Sequence, residues 1–203
     1  MASAPKPRGR QEEARRNDGS LLAAARLVFA LEGPSAPVSA IAEEAGVGIA
    51  SLYRRYPTKA ALVEYLCAES LEQQSSAAAA ALDAGGGGLA RFVRESAGFR
   101  AGVFSSLAGS IAAGSDLAAK AERVHALVER LVAEAQAAGE ARPDITATDV
   151  HELIELFSRR RRETDYERLL TLALDGLRAG GSPLPGPAAT WDERYTRSWS
   201  HQG

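Results

Sequence analysis

The sequence predicts an all-α protein, and three observations carry that expectation. Alanine, the strongest helix former, supplies 41 of the 203 residues. β-branched residues are sparse, and no alternating apolar–polar run is bounded by turn residues as a strand would be. Apolar residues recur at helical spacing between breaks marked by Gly and Pro.

Taken in order, residues 1–16 are polar and rich in Pro and Arg, and read as a flexible arm. A helix is expected over residues 18–31, with Leu21, Leu22, Ala25, Val28 and Phe29 on one face and Gly33-Pro34 as its stop. Two short helices follow, over 38–45 and 49–55, around the turn Gly46-Val47-Gly48. Thr58 is placed to cap a long helix through residue 82. Gly85 to Gly88 form the clearest break in the chain. Beyond it, helices are expected over 89–100, 104–113, 116–138, 146–160 and 165–179. Gly139 ends the third of these, and Thr146 with Asp149 makes a short-armed capping box for the fourth. Residues 182–203 form a Pro- and Gly-led tail holding Trp191 and Trp199. The chain thus divides into an arm at 1–16, a small N-terminal unit at 17–63, a helical body at 64–181 and a tail at 182–203.

Composition limits the function. An apolar fraction of 45% supports a packed core. The longest purely apolar run, Ala77 to Leu82, falls far short of the roughly 20 residues a spanning helix needs. No apolar secretory segment follows Met1. A cytoplasmic protein without a membrane partner is therefore expected. One cysteine, Cys67, excludes an internal disulfide and reads as a small core residue. The net charge of −2 hides an asymmetry: residues 1–59 carry +3 and the remainder −5.

The stretch from Pro37 to Leu62 carries the functional signal. Two short helices joined by a three-residue turn containing Gly46 describe a helix-turn-helix. Val47 fills the angle between them, and Ile41, Ala45 and Leu52 form the small apolar centre. That arrangement leaves Ile49, Ala50, Ser51, Tyr53, Arg54 and Arg55 outward on a helix able to enter a DNA major groove. One such helix reads only a few base pairs. A two-fold dimer, with its reading helices about 34–36 Å apart, reads a near-palindromic double-stranded operator. The expected dimer face is the last two helices, through Leu153, Leu156, Phe157, Leu169, Leu170, Leu172, Ala173 and Leu177.

Here the sequence resembles the TetR (tetracycline-repressor) family of bacterial transcription regulators. The likeness runs over Leu22-Ala23-Ala24-Ala25-Arg26-Leu27-Val28-Phe29, Gly33, Ile41-Ala42-Glu43-Glu44-Ala45-Gly46-Val47-Gly48 and Ser51-Leu52-Tyr53-Arg54-Arg55-Tyr56-Pro57-Thr58-Lys59-Ala60-Ala61-Leu62. Weaker likeness to an actinobacterial-style branch lies at Ala138 to Asp144 and Leu169 to Arg178. The resemblance implies a DNA-binding head, a helical body for ligand binding and dimerisation, no cofactor, and repression relieved by a small-molecule effector. It makes Tyr53 and Lys59 phosphate contacts. Gly48 stands where the family often has a capping Ser, Ala50 where it often has Gly, and Ser51 where it often has Thr. Pro37 replaces a common hydroxyl residue, with Ser39 as the substitute. Arg55 and Tyr56 replace a common His and Phe, and both are expected, with Ser39 and Gly48, on the DNA-contacting face.

An effector pocket is expected after Lys59, lined by Phe92, Phe99, Phe104, Leu107, Ile111, Val124, His125, Leu127 and Val128. Glu122 and His125 form a Glu-x-x-His pair, which motivates the rival reading of a helical-bundle enzyme or carrier. A di-iron site requires a second such pair, and Thr148 stands three residues before His151. No metal site is therefore expected. Arg159 to Arg162 read as a solvated helix end rather than a nucleic-acid patch. Arg8, Arg10, Arg15 and Arg16 read equally as a DNA-reaching arm or as a soluble tail.

Overall fold

The computed structural model of the protein describes residues 8–33, 35–104, 115–159 and 165–192, excepting the side chains of residues 8–18 and 115. Its helices are α1 (Arg8–Glu32), α2 (Val38–Glu44), α3 (Ile49–Arg55), α4 (Lys59–Asp83), α5 (Gly88–Gly98), α6 (Ser115–Ala137), α7 (Ala147–Arg159) and α8 (Tyr166–Gly176). A 3-10 turn, Ala101–Phe104, follows α5. Among the described residues there is no strand, only an isolated antiparallel bridge between Ala141 and Arg178.

Two boundaries differ from the sequence expectation. α1 begins at Arg8, so residues 8–16 continue the helix instead of forming an arm. Polar composition hid this, because Arg, Gln, Glu and Ala are all good helix formers. α8 ends at Gly176 rather than at 179. Its last residues are drawn into pairing with the segment after α6: Arg142 N–H donates to Leu177 O at 2.9 Å, and Ala179 N–H to Glu140 O at 3.3 Å. The expected helix over 104–113 begins in the 3-10 turn, and its remainder lies outside the described residues. The two predicted caps are formed. Thr58 Oγ1 accepts from Ala61 N at 3.0 Å, and Thr146 N and Oγ1 both donate to Asp149 Oδ2, at 2.8 and 2.9 Å.

Apolar burial falls into two clusters. The first joins α1, α2 and α3 to the start of α4, with Ile41 and Leu66 fully buried. The second joins the end of α4 to α5, α6, α7 and α8, around Phe92, Val93, Val128 and Val150. α4 runs through both. The 3-10 turn crosses between them as well: Val103 and Phe104 belong to the first cluster, and Ala101 to the second.

That turn is fastened to α7. Gly102 N–H donates to Ser158 Oγ at 3.0 Å, and the Arg100 guanidinium donates to Ser158 O at 2.7 Å. A Cβ on Gly102 would stand 2.4 Å from Glu155 Cα, so only glycine lets the two backbones approach this closely. Arg100 holds a left-handed φ of 58° just before it.

The tail returns over the body. Arg142 is paired with Asp144 (Nε to Oδ1, 2.5 Å) and also donates to Ser182 O. Leu184 N–H donates to Asp144 Oδ2 at 2.8 Å. Further on, Trp191 lies over His125 of α6 and His151 of α7. Burial holds the His151 ring neutral and pushes its pKa from 6.5 down to about 3.

Gly102→Ala is expected to lower stability by about 1–3 kcal/mol in urea unfolding, because backbone rather than a movable side chain must yield. A pH dependence follows from His151. Below pH ~6.5 the unfolded chain binds a proton there that the folded chain refuses until about pH 3. Stability therefore falls as pH drops through that window, by up to about 1.4 kcal/mol per pH unit from this group. Urea unfolding at pH 7 and pH 5 should show the drop, and His151→Leu should reduce it.

Candidate nucleic-acid interface

α2 and α3 meet as a helix-turn-helix. Gly46 takes φ 65°, and Val47 N–H returns to Ala42 O at 2.9 Å, which closes the turn. Ile41 and Leu52 are buried beneath the corner, with Ala45 and Val47 packed against them. Seven residues make two helical turns, so burying Leu52 fixes which side of α3 faces out. Ile49 and Tyr53 are one turn apart and expose 40% and 46% of their surface. Ala50 and Arg54 form a second exposed pair, and Ser51 and Arg55 a third. Arg54 donates to Ser51 Oγ at 3.3 Å. The outer surface therefore offers an apolar spot, hydroxyls and two guanidinium groups within one short helix.

The flanking residues divide. Ser39 is exposed on α2, after an N-cap at Pro37 that makes no side-chain hydrogen bond. Gly48 is the exposed N-cap of α3, with extended backbone and likewise no side-chain cap. Lys59 is half-buried; its Nζ donates to Ala36 O at 2.7 Å and lies 5.9 Å from the centre of the Phe29 ring. Its charge is thus tied to the joint between α1, α2 and α4.

Tyr56 corrects the sequence reading, which put it on the DNA face. It is 8% exposed and belongs to the core of the head. The chain turns to extended backbone at this residue after α3, which directs the ring inward against Tyr65 at 5.0 Å. Arg55 lies over both rings, 5.4 Å from Tyr56 and 5.7 Å from Tyr65. The tyrosines therefore form a platform that orients Arg55. Tyr65 was missed in the sequence because it is nearly two turns into α4, outside the helix-turn-helix.

Arg26 was missed as well. Its place on the Leu22–Phe29 stripe of α1 was a legible signal, since Leu22 lies four residues before it and both are buried. It donates to Ser70 Oγ at 3.2 Å and Gln73 Oε1 at 2.8 Å, and lies over the rings of Phe99 (5.0 Å) and Phe104 (5.8 Å). Burial lowers its pKa to about 10, which leaves it charged at neutral pH.

The expected pocket lining is not gathered around one space. Phe92, Val124 and Val128 are close-packed core with at most 1% exposure, and Leu127 packs against them. Phe104 belongs to the head cluster, edge-on to Phe29 at 6.3 Å. Phe99 borders an open cleft of about 410 Å³ beside Glu69, Glu72 and Gln73. His125 lies against Trp191, and Leu107 and Ile111 lie outside the described residues. A wider cleft of about 810 Å³ opens elsewhere, between α5, the end of α6 and α8, bordered by Arg91, Arg94 and Arg178.

Of the expected dimer face, Leu156 and Leu172 are each 58% exposed. Leu153, Leu169, Ala173 and Leu177 are half-buried, while Phe157 and Leu170 turn into the chain's own core. Glu122 is exposed, and among the described residues no three potential ligands gather for a metal. Cys67 is buried, and its thiol is pushed up to about 12, first by burial and then by Glu64, which keeps it protonated. Arg159 pairs with Glu155 at 2.5 Å, and Arg160 to Arg162 lie outside the described residues. No described helix is long and apolar enough to cross a membrane.

Comparison with known proteins agrees with this geometry. Residues 21–66 match the model for bacterial regulatory proteins of the tetR family, and residues 86–179 match the SbtR-like transcriptional regulator C-terminal domain. A TetR transcriptional regulator from Streptomyces coelicolor is 30% identical, with a TM-score of 0.56, covering 81% of this chain and 99% of that one. A TetR transcription regulatory protein from Mycobacterium vanbaalenii is 31% identical, with a TM-score of 0.54, covering 83% and 98%. The ketosteroid transcriptional regulator KstR2 of Mycobacterium tuberculosis shares the fold at 21% identity and a TM-score of 0.56, covering 80% and 95%. No curated protein matches the chain. With the outer face of α3 exposed, the helix-turn-helix packed beneath it and both halves matched, the chain belongs to the TetR family and is a DNA-binding transcriptional regulator.

Proposed function

We propose that the protein is a homodimeric repressor that reads a near-palindromic operator and leaves it when a small molecule binds the helical body. The observation that carries this reading is the outer face of α3, where Ile49, Ala50, Ser51, Tyr53, Arg54 and Arg55 are all exposed around a buried Leu52. Arg54 and Arg55 suit guanine edges or phosphates, and Ile49 and Ala50 suit thymine methyl groups. The exposed Tyr53 hydroxyl suits a backbone phosphate, with Ser39 on the neighbouring helix as a second hydroxyl.

The leucines of α7 and α8 support the dimer. Leu156 and Leu172 leave most of their surface uncovered by the chain's own core, and a two-fold pairing of α7 and α8 covers them as a four-helix seam. Repression follows from occupying the operator. Release follows if an effector binds more tightly to a dimer whose reading helices are spaced wrongly for DNA. α4 and the 3-10 turn are the levers, since both enter the head core and the body core.

Arg54→Ala with Arg55→Ala is expected to abolish binding to an operator mapped with the purified protein, in a gel shift at fixed salt, with the dimer intact by sedimentation. Unchanged affinity would overturn the assignment of α3. Leu156→Glu with Leu172→Glu should yield monomers that retain helical circular dichroism, because both side chains are exposed. Operator affinity should then weaken about tenfold or more as the second half-site is lost.

A further inference from the structure

Between α6 and α7 two imidazoles lie together, and the indole of the chain's own tail covers them; we call the space that ring occupies the slot. Trp191 stacks on His125 with ring centroids 4.1 Å apart and planes within 18°. His151 lies behind His125 at 5.5 Å and 28°, and meets the indole at 5.5 Å. Burial lowers the pKa of both imidazoles, so the stack is one of neutral rings. His125 Nε2 faces Glu129 Oε1 at 3.6 Å, which favours the proton on Nε2. Nδ1 is then an acceptor, and this buried atom has no hydrogen-bond partner among the described residues.

The occupant is held differently from the slot. The tail is pinned at Ser182 and Leu184 by Arg142 and Asp144. From there to Thr190 only Ala188 is less than exposed. Trp191 is therefore a planar ring on a short exposed tether, bound intramolecularly to a site built from two core helices. Such a ligand dissociates without unfolding what it binds, and its effective concentration is set by the tether. It also leaves the Nδ1 acceptor unused, which a competing ring with a suitably placed donor can engage.

We propose that this slot is the effector site and that its ligands are planar aromatic or heteroaromatic molecules carrying a hydrogen-bond donor, which displace Trp191. The proposal rests on the reading above that the body binds an effector. It adds the place, the chemical class and the competitor.

Free indole, the fragment that Trp191 contributes, is the probe. In the wild-type protein the ring-proton resonances of His125 and His151 should be shifted upfield by the indole above them. Trp191→Ala should move them downfield, and free indole should restore the upfield positions in W191A. Restoration should fail in W191A carrying His125→Leu. Resonances unmoved by W191A, no response to indole, or equal indole binding without His125 would each overturn the proposal. A measurement that does not depend on W191A folding uses Trp199→Phe, in which Trp191 is the remaining tryptophan. Acrylamide should quench it less than a free tryptophan amide, and equal quenching would overturn the proposal. Gel shifts on the mapped operator separate the two readings. Operator binding without an indole response removes the slot alone, whereas an indole response in a protein that binds no DNA removes the regulatory reading alone.

Discussion

The guanidinium of Arg26 lies where the DNA-binding head meets the helical body, and the placing of the head depends on it. A charge this buried is tolerated only because it is surrounded: Ser70 and Gln73 of α4 accept from it, and the faces of Phe99 and Phe104 cover it. Those partners come from the middle of α4, from the residue after α5 and from the 3-10 turn. One side chain of α1 thereby fixes the head against three separate parts of the body. A purely apolar junction would allow sliding, whereas a buried cation with directed hydrogen bonds is satisfied in few arrangements.

The same region connects the head to the proposed dimer helices. Phe104 packs against Phe29 and Arg26 in the head, while Gly102, two residues earlier, touches the backbone of α7 and binds Ser158. A shift of α7 must therefore move the 3-10 turn or break its hydrogen bonds. Close-packed contacts of this kind pass displacement on because neither side has room to absorb it. α4 provides a second connection through its own length.

Charge separates along the same line. The first 59 residues carry +3 and the rest −5, so the total of −2 averages a reading head with a regulatory body. In the proposed reading, the exposed arginines of α3 attract phosphate and the acidic body repels it, which would orient the approach to DNA.

The head was legible because its signals are local: the Gly46 turn, the spacing of Ile41 and Leu52, and the Thr58 cap each act within a few residues. Residues 8–16 were misread because polarity was taken for lack of structure, although their residue types favour helix. The candidate pocket was not legible. Apolar residues at helical spacing look alike whether they line a space or fill it, and Phe92, Val124 and Val128 fill it. The sequence by itself determined an all-α chain, a helix-turn-helix and which residues of α3 face outward around Leu52, since turn chemistry and helical period act over short range. Only the tertiary structure decided that Tyr56 faces inward, that Arg26 joins head to body, and that Trp191 lies on His125 and His151. Those contacts join residues 9 to 78 positions apart, and no local pattern specifies which distant surface a side chain will meet.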